Sequence, residues 1–370
     1  MFKPASLGFL FLLALIANCC LAAELDSLAP NTWAEVKPKY EGAPSGGQIF
    51  PMGWNNKGAY DPQSKRVLVM DRWYDKVRTD TIYANAVLAF DPAGNVCTVL
   101  KLNNWKKQGT ASGGYQTVPI PEDAQDPTPV DRHPLGSVAL DTDRGVLYLA
   151  NGLNQTAGGG HPNDTWSFDL AKRAWSRVGA GKPHPPHVTC DVMTYDPKNK
   201  AVVLFTSTGE GTTTWLLDPA KGEWKSQPAD PSAKGVVVQA AGIAYDAKRG
   251  LVVCFGGGRQ FDVASGALLT YSVAENKWKR LKDCPAKANA PGFDYDSKND
   301  VFLAIFGGAT WAYSPSADAW TEMPKSGIPA MAWKSITYDA AHDVFVYQGG
   351  TWDKPAWMLF RYAPAKAEVK

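Results

Sequence analysis

The sequence has little net charge and lacks the short motifs that mark common metal sites and hydrolases. Its 38 Lys and Arg residues are nearly balanced by 36 Asp and Glu residues, which leaves a formal net charge of +2. A nucleic-acid partner would favour a strongly basic face or stripe. The chain also contains no Cys-x-x-Cys pair, no His-Glu-x-x-His and no Gly-x-Ser-x-Gly. These absences argue against nucleic-acid binding and against the site classes that such motifs identify.

Long apolar runs are also scarce, and the one that exists lies at the N-terminus. Lys3 provides a positive end, residues 7–17 form an apolar run, and small residues follow near a cleavage point. This order predicts a secretory signal peptide over residues 1–23, cut after Ala22 or Ala23, whereas a membrane anchor would need a longer run. We therefore expect a secreted or periplasmic protein with no transmembrane segment and a single domain over residues 24–370.

Cysteine is sparse once the N-terminal segment is set aside. Four cysteines remain, and an oxidising compartment would permit disulfides in three alternative pairings. Cys254 lies within an apolar strand and Cys97 occupies a packing position, so we expect both to be buried small apolar residues. The four are Cys97, Cys190, Cys254 and Cys284.

The sequence does contain a repeat of large apolar side chains. In three places an aromatic residue is followed seven positions later by tryptophan, and in two others one member of the pair is replaced. A tight polar turn separates the two positions, so each unit predicts a β-hairpin whose strands each contribute one large apolar side chain. The five pairs are Phe168/Trp175, Tyr271/Trp278, Tyr313/Trp320, Leu217/Trp224 and Phe90/Cys97.

A further pair of strands precedes each of these hairpins. The first strand ends at an aspartate, whose carboxylate can accept hydrogen bonds from the amides of the turn that follows. The second strand is strongly apolar, as in residues 202–205 and 301–306. The unit recurs about every 50 residues and predicts an all-β fold, a six-bladed β-propeller with four-stranded blades. The six aspartates are Asp61, Asp141, Asp196, Asp246, Asp296 and Asp339.

The last blade is incomplete at the C-terminus. Tyr362 is expected to begin its hairpin, but Val369 stands where tryptophan is expected and the chain ends one residue later. Near the N-terminus, residues 31–36 resemble a fourth strand without a blade. We predict that this strand completes the last blade and closes the ring, which removes exposed sheet edges. The alternative is a frayed, unpaired N-terminus.

Glycine doublets end the second strand in three units, at 256–257, 307–308 and 349–350. Together with the aromatic hairpins, these doublets resemble the kelch repeat family, and the resemblance runs from about Trp33 to Tyr362. It implies a kelch-type propeller, similar in architecture to the propeller of copper radical oxidases such as galactose oxidase. The two His and two Tyr that hold copper in those oxidases have no matching set here. Kelch propellers include enzymes, glycan-associated proteins and interaction scaffolds, so the resemblance does not choose a function.

We expect the functional surface on one face of the ring. The loops that join strands two and three of a blade, and those that join neighbouring blades, share a face that we call the long-loop face. The remaining turns are short and uniform and lie on the opposite face, the turn face. Loops on a rigid scaffold are where binding and catalysis concentrate. Three long segments of blades 1 and 2 stand out, at residues 71–85, 101–133 and 151–164.

The first of these segments mixes aromatic and basic residues. Aromatic rings can stack on the apolar faces of sugars, and guanidinium groups can bind carboxylate or sulfate. We therefore predict a ligand site formed by Arg72, Trp73, Tyr74, Arg78 and Tyr83, with Arg132 from the second segment.

Histidine is rare, and four of the five histidines fall on this face: His133, His161, His184 and His187. They are candidate ligands for a divalent metal ion, and His133 and His161 are candidate catalytic bases. The alternatives are a non-metal ligand role and a purely structural one. His342 lies in a turn on the opposite face and is expected to be unrelated.

Three functional hypotheses follow. We favour an exported propeller that recognises a saccharide or other extracellular ligand on the long loops of blades 1–3. The first alternative is a carbohydrate-active enzyme, either metal-dependent or a polysaccharide lyase that moves a proton with a His/Tyr pair beside an Arg-bound uronate. The second is a protein-interaction scaffold. In each case we expect a monomer.

Overall fold

The repeats predicted from the aromatic spacing fold as antiparallel four-stranded sheets in a computed structural model of the protein. The strands are numbered β1–β30 in chain order. The structure describes residues 25–43, 47–50, 57–75, 83–103, 105–109, 115–119, 125–154, 162–186, 190–208, 211–231, 235–258, 264–323, 327–328, 334–351 and 354–364.

The N-terminal part of the chain forms blade 1 and its additions. Before the blade come β1 (Trp33–Val36), β2 (Lys39–Glu41) and β3 (Gly47–Phe50). The blade itself comprises β4 (Ala59–Asp61), β5 (Arg66–Asp75), β6 (Tyr83–Asp91) and β7 (Val96–Leu102). A hairpin of β8 (Trp105–Gly109) and β9 (Tyr115–Pro119) follows, and then β10 (Arg132–His133).

Blades 2 and 3 follow the same order from inside to outside. Blade 2 consists of β11 (Val138–Asp141), β12 (Val146–Ala150), β14 (Thr165–Asp169) and β15 (Ala174–Val178), with β13 (Leu153–Asn154) pairing β10 beside it. Blade 3 consists of β16 (Val192–Asp196), β17 (Ala201–Thr208), β18 (Gly211–Asp218) and β19 (Glu223–Ser226).

Blades 4 to 6 complete the ring. Blade 4 consists of β20 (Gly242–Asp246), β21 (Leu251–Phe255), β22 (Leu268–Ser272) and β23 (Lys277–Arg280). Blade 5 consists of β24 (Gly292–Asp296), β25 (Val301–Phe306), β26 (Ala309–Ser314) and β27 (Ala319–Glu322). Blade 6 consists of β28 (Ser335–Asp339), β29 (Val344–Thr351), β30 (Lys354–Phe360) and β1.

The inner strands show that the ring is closed. The first strand of each blade contacts the first strand of the next, from β4 through β11, β16, β20, β24 and β28, and β28 contacts β4 again. Apolar side chains fill the space between each pair of neighbouring blades. The protein is therefore a six-bladed β-propeller, as the repeat count predicted.

The aromatic hairpins have the predicted register. Phe168 pairs directly with Trp175, and their ring centroids lie 5.0 Å apart. Tyr271 with Trp278 and Tyr313 with Trp320 repeat this arrangement at 5.1 Å. Each pair packs between its own blade and the preceding one, which explains why the spacing recurs with the blades.

The N-terminal strand closes the last blade. β1 pairs antiparallel with β30, and Trp33 lies opposite Phe360 with ring centroids 4.9 Å apart. Trp33 thus occupies the position that Trp175 holds in blade 2, although it comes from the other end of the chain. The prediction that Tyr362 begins this hairpin was wrong. β30 ends at Phe360. Phe360 lies opposite Phe345 of β29 and opposite Trp33 of β1, so it takes the position that was predicted for Tyr362.

The aspartates that end the inner strands bind the turns that follow, as predicted. In blade 5, Asp296 Oδ1 accepts hydrogen bonds from the amides of Lys298 and Asn299, both at 2.9 Å. The other five aspartates likewise accept turn amides. The last turn residue is in the left-handed region, as at Lys200 with φ 53° and Gly250 with φ 68°. The turns therefore give the turn face a uniform, tightly bonded surface.

Blade 1 departs from the repeat at Cys97. This buried residue lies opposite Phe90, where tryptophan is found in other blades. β2 pairs in parallel with β7 and places Tyr40 beside Cys97. Tyr40 packs against the same apolar cluster, and its hydroxyl accepts a hydrogen bond of 2.9 Å from Trp357 Nε1. A fifth strand thus supplies the aromatic side chain that the fourth strand lacks.

Candidate functional site

The additions to the six-bladed ring cluster at blades 1 and 2, on the long-loop face. β5 and β6 continue beyond the blade, and β3 pairs with the far end of β5. The described parts of segment 71–85, which was expected to be a loop, are therefore strands of a ladder, because the pairing of β5 with β6 continues as far as Tyr74 and Tyr83. We call this part, residues 47–50, 72–75 and 83–85, the blade 1 extension.

The extension brings together four of the predicted ligand residues at the level of the backbone. Tyr74 pairs with Tyr83, Trp73 with Ala84, and Arg72 with Asn85. Arg78 lies outside the described residues. The predicted ligand positions 72–74 and 83 are thus held on neighbouring rungs of one ladder.

Asn85 ties the extension to the connection between blades 1 and 2. Its backbone amide donates to Asp131 Oδ1 at 2.8 Å, and its side-chain Oδ1 accepts from the Arg132 amide at 2.7 Å. Asn103 Nδ2 donates to the carbonyl of Pro129 at 3.1 Å and so fixes the same connection. Asn85, Asp131 and Asn103 are all buried, so water does not compete for these bonds.

Arg132, a predicted ligand residue, is fully buried and its guanidinium group is occupied by protein acceptors. It forms a bidentate ion pair with Asp164, and Nη1 also donates to the carbonyl of Asn151 at 2.9 Å. Nε donates to the carbonyl of Val130 at 3.0 Å. Arg132 therefore holds the base of the long loops together in this arrangement and does not present its charge to solvent.

The electrostatics of this pair depend on the arginine. Burial by itself raises the pKa of Asp164, but the charge and hydrogen bonds of Arg132, with a bond from Trp166, outweigh it and lower the pKa. The Trp166 Nε1 donor lies 2.9 Å from Asp164 Oδ2. Because a buried charge without a partner is costly, the pair is ionised and mutually dependent.

The contacts continue into blade 3. Asn151 Nδ2 donates to Asp191 Oδ2 at 2.8 Å, and Asp191 lies at the start of the inner strand of blade 3. We call Asn85, Asp131, Arg132, Asn151, Asp164 and Asp191 the buried polar network. It links the blade 1 extension to blades 2 and 3 through hydrogen bonds between side chains and backbone.

The described histidines each have a separate environment. His133 is buried in β10, which pairs with Leu153 of β13. His184 Nε2 lies 2.6 Å from Thr165 Oγ1, and its Nδ1 lies 2.9 Å from Asn163 Oδ1 and 2.8 Å from the carbonyl of Pro185. Since both neighbours of Nδ1 are acceptors, Nδ1 carries the proton and Nε2 accepts from Thr165.

This hydrogen-bonding pattern agrees with the electrostatics of His184. Burial lowers its pKa, and the bond to the Pro185 carbonyl only partly opposes that effect. His161 and His187 lie outside the described residues. Within the ranges given above, no group of three or more His, Cys, Asp or Glu side chains is arranged to hold a metal ion. The four cysteines are buried and unpaired.

A second polar feature lies on the propeller axis. A cavity of about 230 Å³ there is lined by residues of all six inner strands and their turns. The charged residues that line it are Lys57 of blade 1 and Asp294 of blade 5. Sequence reasoning missed both residues, although each departs from the small or apolar residues at the same repeat position in other blades. We call this space the axial cavity.

A larger groove of about 870 Å³ lies on the turn face between blades 2 and 3. Two of its four carboxylates pair with lysines: Asp218 with Lys221 at 2.9 Å and Glu223 with Lys182 at 2.8 Å. Beneath the groove Leu217, which replaces the aromatic residue of other blades, is fully buried. The groove is therefore a surface between turns, and one of its lining residues, Asp141, is fully buried with Oδ1 accepting the turn amides of Asp143 and Arg144.

The chain matches no model of a known protein family, and no curated protein matches it. Among the described residues, no helix has the length and apolar character needed to cross a membrane. The six-bladed propeller fold, with additions on one face, supports a role in binding a ligand or another protein.

Proposed function

We propose that this protein is an exported, kelch-type propeller that binds a saccharide on the long-loop face, at the blade 1 extension and the neighbouring loops of blades 2 and 3. The propeller supports ligand binding or protein interaction in general terms. The choice of a saccharide rests on residue chemistry, and export rests on the predicted signal peptide.

One observation carries the proposal. The backbone of residues 72–74 and 83 is held in a ladder, and Asn85 in that ladder is bonded to Asp131 and Arg132 of the buried polar network. A binding surface gains affinity when its groups are ordered before the ligand arrives. A ladder anchored by buried hydrogen bonds provides such order, whereas a free loop does not.

The residue types at these positions favour a saccharide. Trp73, Tyr74 and Tyr83 supply rings of the kind that stack on the apolar faces of sugars. Arg72 and Arg78 supply guanidinium groups, which form bidentate hydrogen bonds with carboxylate or sulfate. The combination favours an acidic saccharide over a neutral one.

The enzymatic alternative has less support. A base acting on a bound uronate must reach its substrate, and the described candidate, His133, is buried. The kelch resemblance rests on the glycine doublets together with the aromatic hairpins. At Gly257, where φ is +72°, an added Cβ would lie 2.6 Å from the carbonyl oxygen of Gln239, so glycine is needed for close packing there.

The experiment is a binding titration with acidic and neutral oligosaccharides, using calorimetry on the wild-type protein and on the single variants Trp73→Ala and Arg72→Ala. We expect an acidic oligosaccharide to bind, and each variant to weaken binding by roughly tenfold or more, since hot-spot aromatic and Arg residues contribute on the order of 2 kcal/mol. The melting temperature should change little.

Arg280→Ala is the matched control. Arg280 is exposed on the outer strand of blade 4 and pairs with Asp283 at 2.6 Å, away from the extension. Its variant should bind like the wild type. Unchanged affinity in both Trp73→Ala and Arg72→Ala would refute the assignment of the site, and the absence of binding to any saccharide would refute the ligand class.

A further inference from the structure

The inner strands of the propeller differ at two positions from an otherwise uniform repeat. Two residues before the aspartate that ends the inner strand, blade 5 carries Asp294, whereas the other five blades carry a small or hydroxyl side chain. Four residues before it, the other five blades carry glycine, serine or valine, whereas blade 1 carries Lys57. Both departures introduce a charge, and the charges have opposite signs.

The fold brings these two departures together on the axis. Lys57 reaches across the ring from blade 1 to blade 4, where its Nζ donates to the carbonyl of Ile243 at 2.8 Å. Asp294 Oδ2 in blade 5 accepts a hydrogen bond of 2.8 Å from the Tyr338 amide of blade 6. Lys57 is 7% exposed, and Asp294 keeps partial access from the axial cavity.

The electrostatics show that the two residues affect one another. Burial lowers the pKa of Lys57, and the neighbouring Asp294 opposes that shift. Burial raises the pKa of Asp294, and Lys57 opposes it. Two opposite charges enclosed in this way are weak evidence for stability, because desolvating them offsets most of their attraction. Such pairs in a cavity are candidates for function.

The axial cavity opens on the turn face. Its rim includes the first turn residues of five blades: Thr142, Pro197, Ala247, Ser297 and Ala340. On the opposite side, four apolar residues from successive blades pack together on the axis, each at most 2% exposed: Leu135, Cys190, Ala240 and Ala290. They lie at the long-loop end of the inner strands of blades 2 to 5, and the equivalent positions of blades 1 and 6 lie outside the described residues. Among the described residues, the charged groups of the cavity therefore lie at its inner end, away from the turn face.

The wall of the pocket is mostly carbon. Tyrosine rings from five blades surround it. The hydroxyls of Tyr195, Tyr295 and Tyr338 donate at 2.8–2.9 Å to aspartates within the turns, which are Asp143, Asp300 and Asp343. These hydroxyls are thus held at the turns, away from the inner end. A ligand would meet an apolar wall, one cationic group and one anionic group.

We propose that the axial cavity is a second binding site, for a small zwitterion that carries neighbouring ammonium and carboxylate groups, the chemistry of a free α-amino acid. Asp294 would bind the ammonium group and Lys57 the carboxylate, so that each charge of the ligand meets an opposite charge and the site stays neutral. The apolar side chain would lie against the tyrosine wall. The cavity of about 230 Å³ is several times larger than the roughly 30 Å³ that one water molecule takes up in the liquid, so it has room for a small solute.

The test is ligand-observed saturation-transfer NMR and calorimetry with individual L-amino acids, with neutral monosaccharides as a second class. We expect at least one apolar amino acid to bind saturably to the wild type. Asp294→Asn, which keeps the shape of the side chain, and Lys57→Met should each weaken binding by about tenfold or more. Lys334→Met is the matched control, because Lys334 is also a buried lysine but does not line the cavity.

The outcomes are distinct from those for the saccharide site. Trp73→Ala should leave amino-acid binding unchanged, so failure of one site does not imply failure of the other. The proposal is overturned if no amino acid binds the folded wild type, if both cavity variants bind normally, or if a neutral sugar binds in place of amino acids. Should Lys57→Met fail to fold, Asp294→Asn alone decides the result.

Discussion

At the scale of single residues, whether a charged side chain is buried depends more on its partners than on its residue type. Arg132 is the largest fully buried side chain of the described residues, yet arginine is usually exposed. It is buried because Asp164 and two backbone carbonyls accept its hydrogen bonds. In contrast Arg280 pairs with Asp283 at the surface. Sequence reasoning assigned Arg132 to the ligand on its type alone, and nothing local in the sequence marks Asp164 as its partner.

A residue-scale prediction concerns pH. Asp300 accepts two hydrogen bonds from Arg249, at 2.7 and 2.9 Å, and one from Lys248 at 2.7 Å. The bonds from Arg249 are the main reason that the pKa of Asp300 lies well below its usual range. A group whose pKa is lower in the folded state stabilises the protein above the pKa of the unfolded chain, about 3.9 for Asp. That stability is lost as the pH falls towards the folded value.

We therefore expect the wild type to be more stable than Asp300→Asn at neutral pH, and the difference to shrink as the pH falls below about 4. Urea unfolding of both proteins at a series of pH values measures this difference. Asp283→Asn, which breaks the exposed Arg280 pair, should change stability by less than about 1 kcal/mol. A difference between wild type and Asp300→Asn that stays constant down to acid pH would contradict the prediction.

At the scale of elements, blade 1 shows how one strand compensates for another. The fourth strand of blade 1 has Cys97 where other blades have tryptophan, and β2 places Tyr40 beside it. The departure at position 97 was visible in the sequence. The compensation was not, because β2 is three residues long and pairs with β7 across more than fifty positions of sequence.

This packing predicts that restoring the repeat residue is harmful. Cys97→Trp should lower the free energy of unfolding by about 1–3 kcal/mol, because a larger side chain is forced into a filled core. Denaturant unfolding is the measurement, with Cys97→Ala as a control for loss of the thiol. The double variant Cys97→Trp/Tyr40→Ala should recover part of the loss if the two side chains compete for space. A Cys97→Trp variant as stable as the wild type would show that the site is not filled.

At the scale of the whole molecule, the ring depends on contacts between the two ends of the chain. β1 pairs along its length with β30, and Trp33 Nε1 donates to Thr310 Oγ1 of blade 5 at 2.9 Å. Asn31 exchanges two hydrogen bonds of 2.9 Å with the backbone of Ala363. With β1 in this position, every blade has its fourth strand.

The corresponding prediction compares two tryptophans. Trp33→Ala should cost about 3–5 kcal/mol, as much as Trp175→Ala, because both residues fill the same position in their blades. Chemical denaturation of the two variants measures the comparison. If Trp33→Ala cost less than about 1 kcal/mol while Trp175→Ala remained costly, the terminal strand would not be an integral part of blade 6.

The sequence by itself determined the six blades and their closure. Those features repeat and depend on short-range signals, such as an aromatic residue seven positions before Trp175 and an aspartate at the end of each inner strand. The predicted ligand residues Arg72, Trp73, Tyr74 and Tyr83 stay predictions, now held in one ladder.

Only the tertiary structure decided which distant residues meet. It aligned Phe360, in place of Tyr362, with Trp33, buried Arg132 against Asp164, and brought Lys57 and Asp294 to one cavity. Residues that are tens to hundreds of positions apart in the sequence come into contact between neighbouring blades. The closed ring also brings such residues together across its axis. No local pattern encodes such contacts, because they depend on the number of blades and on how each blade packs against the next.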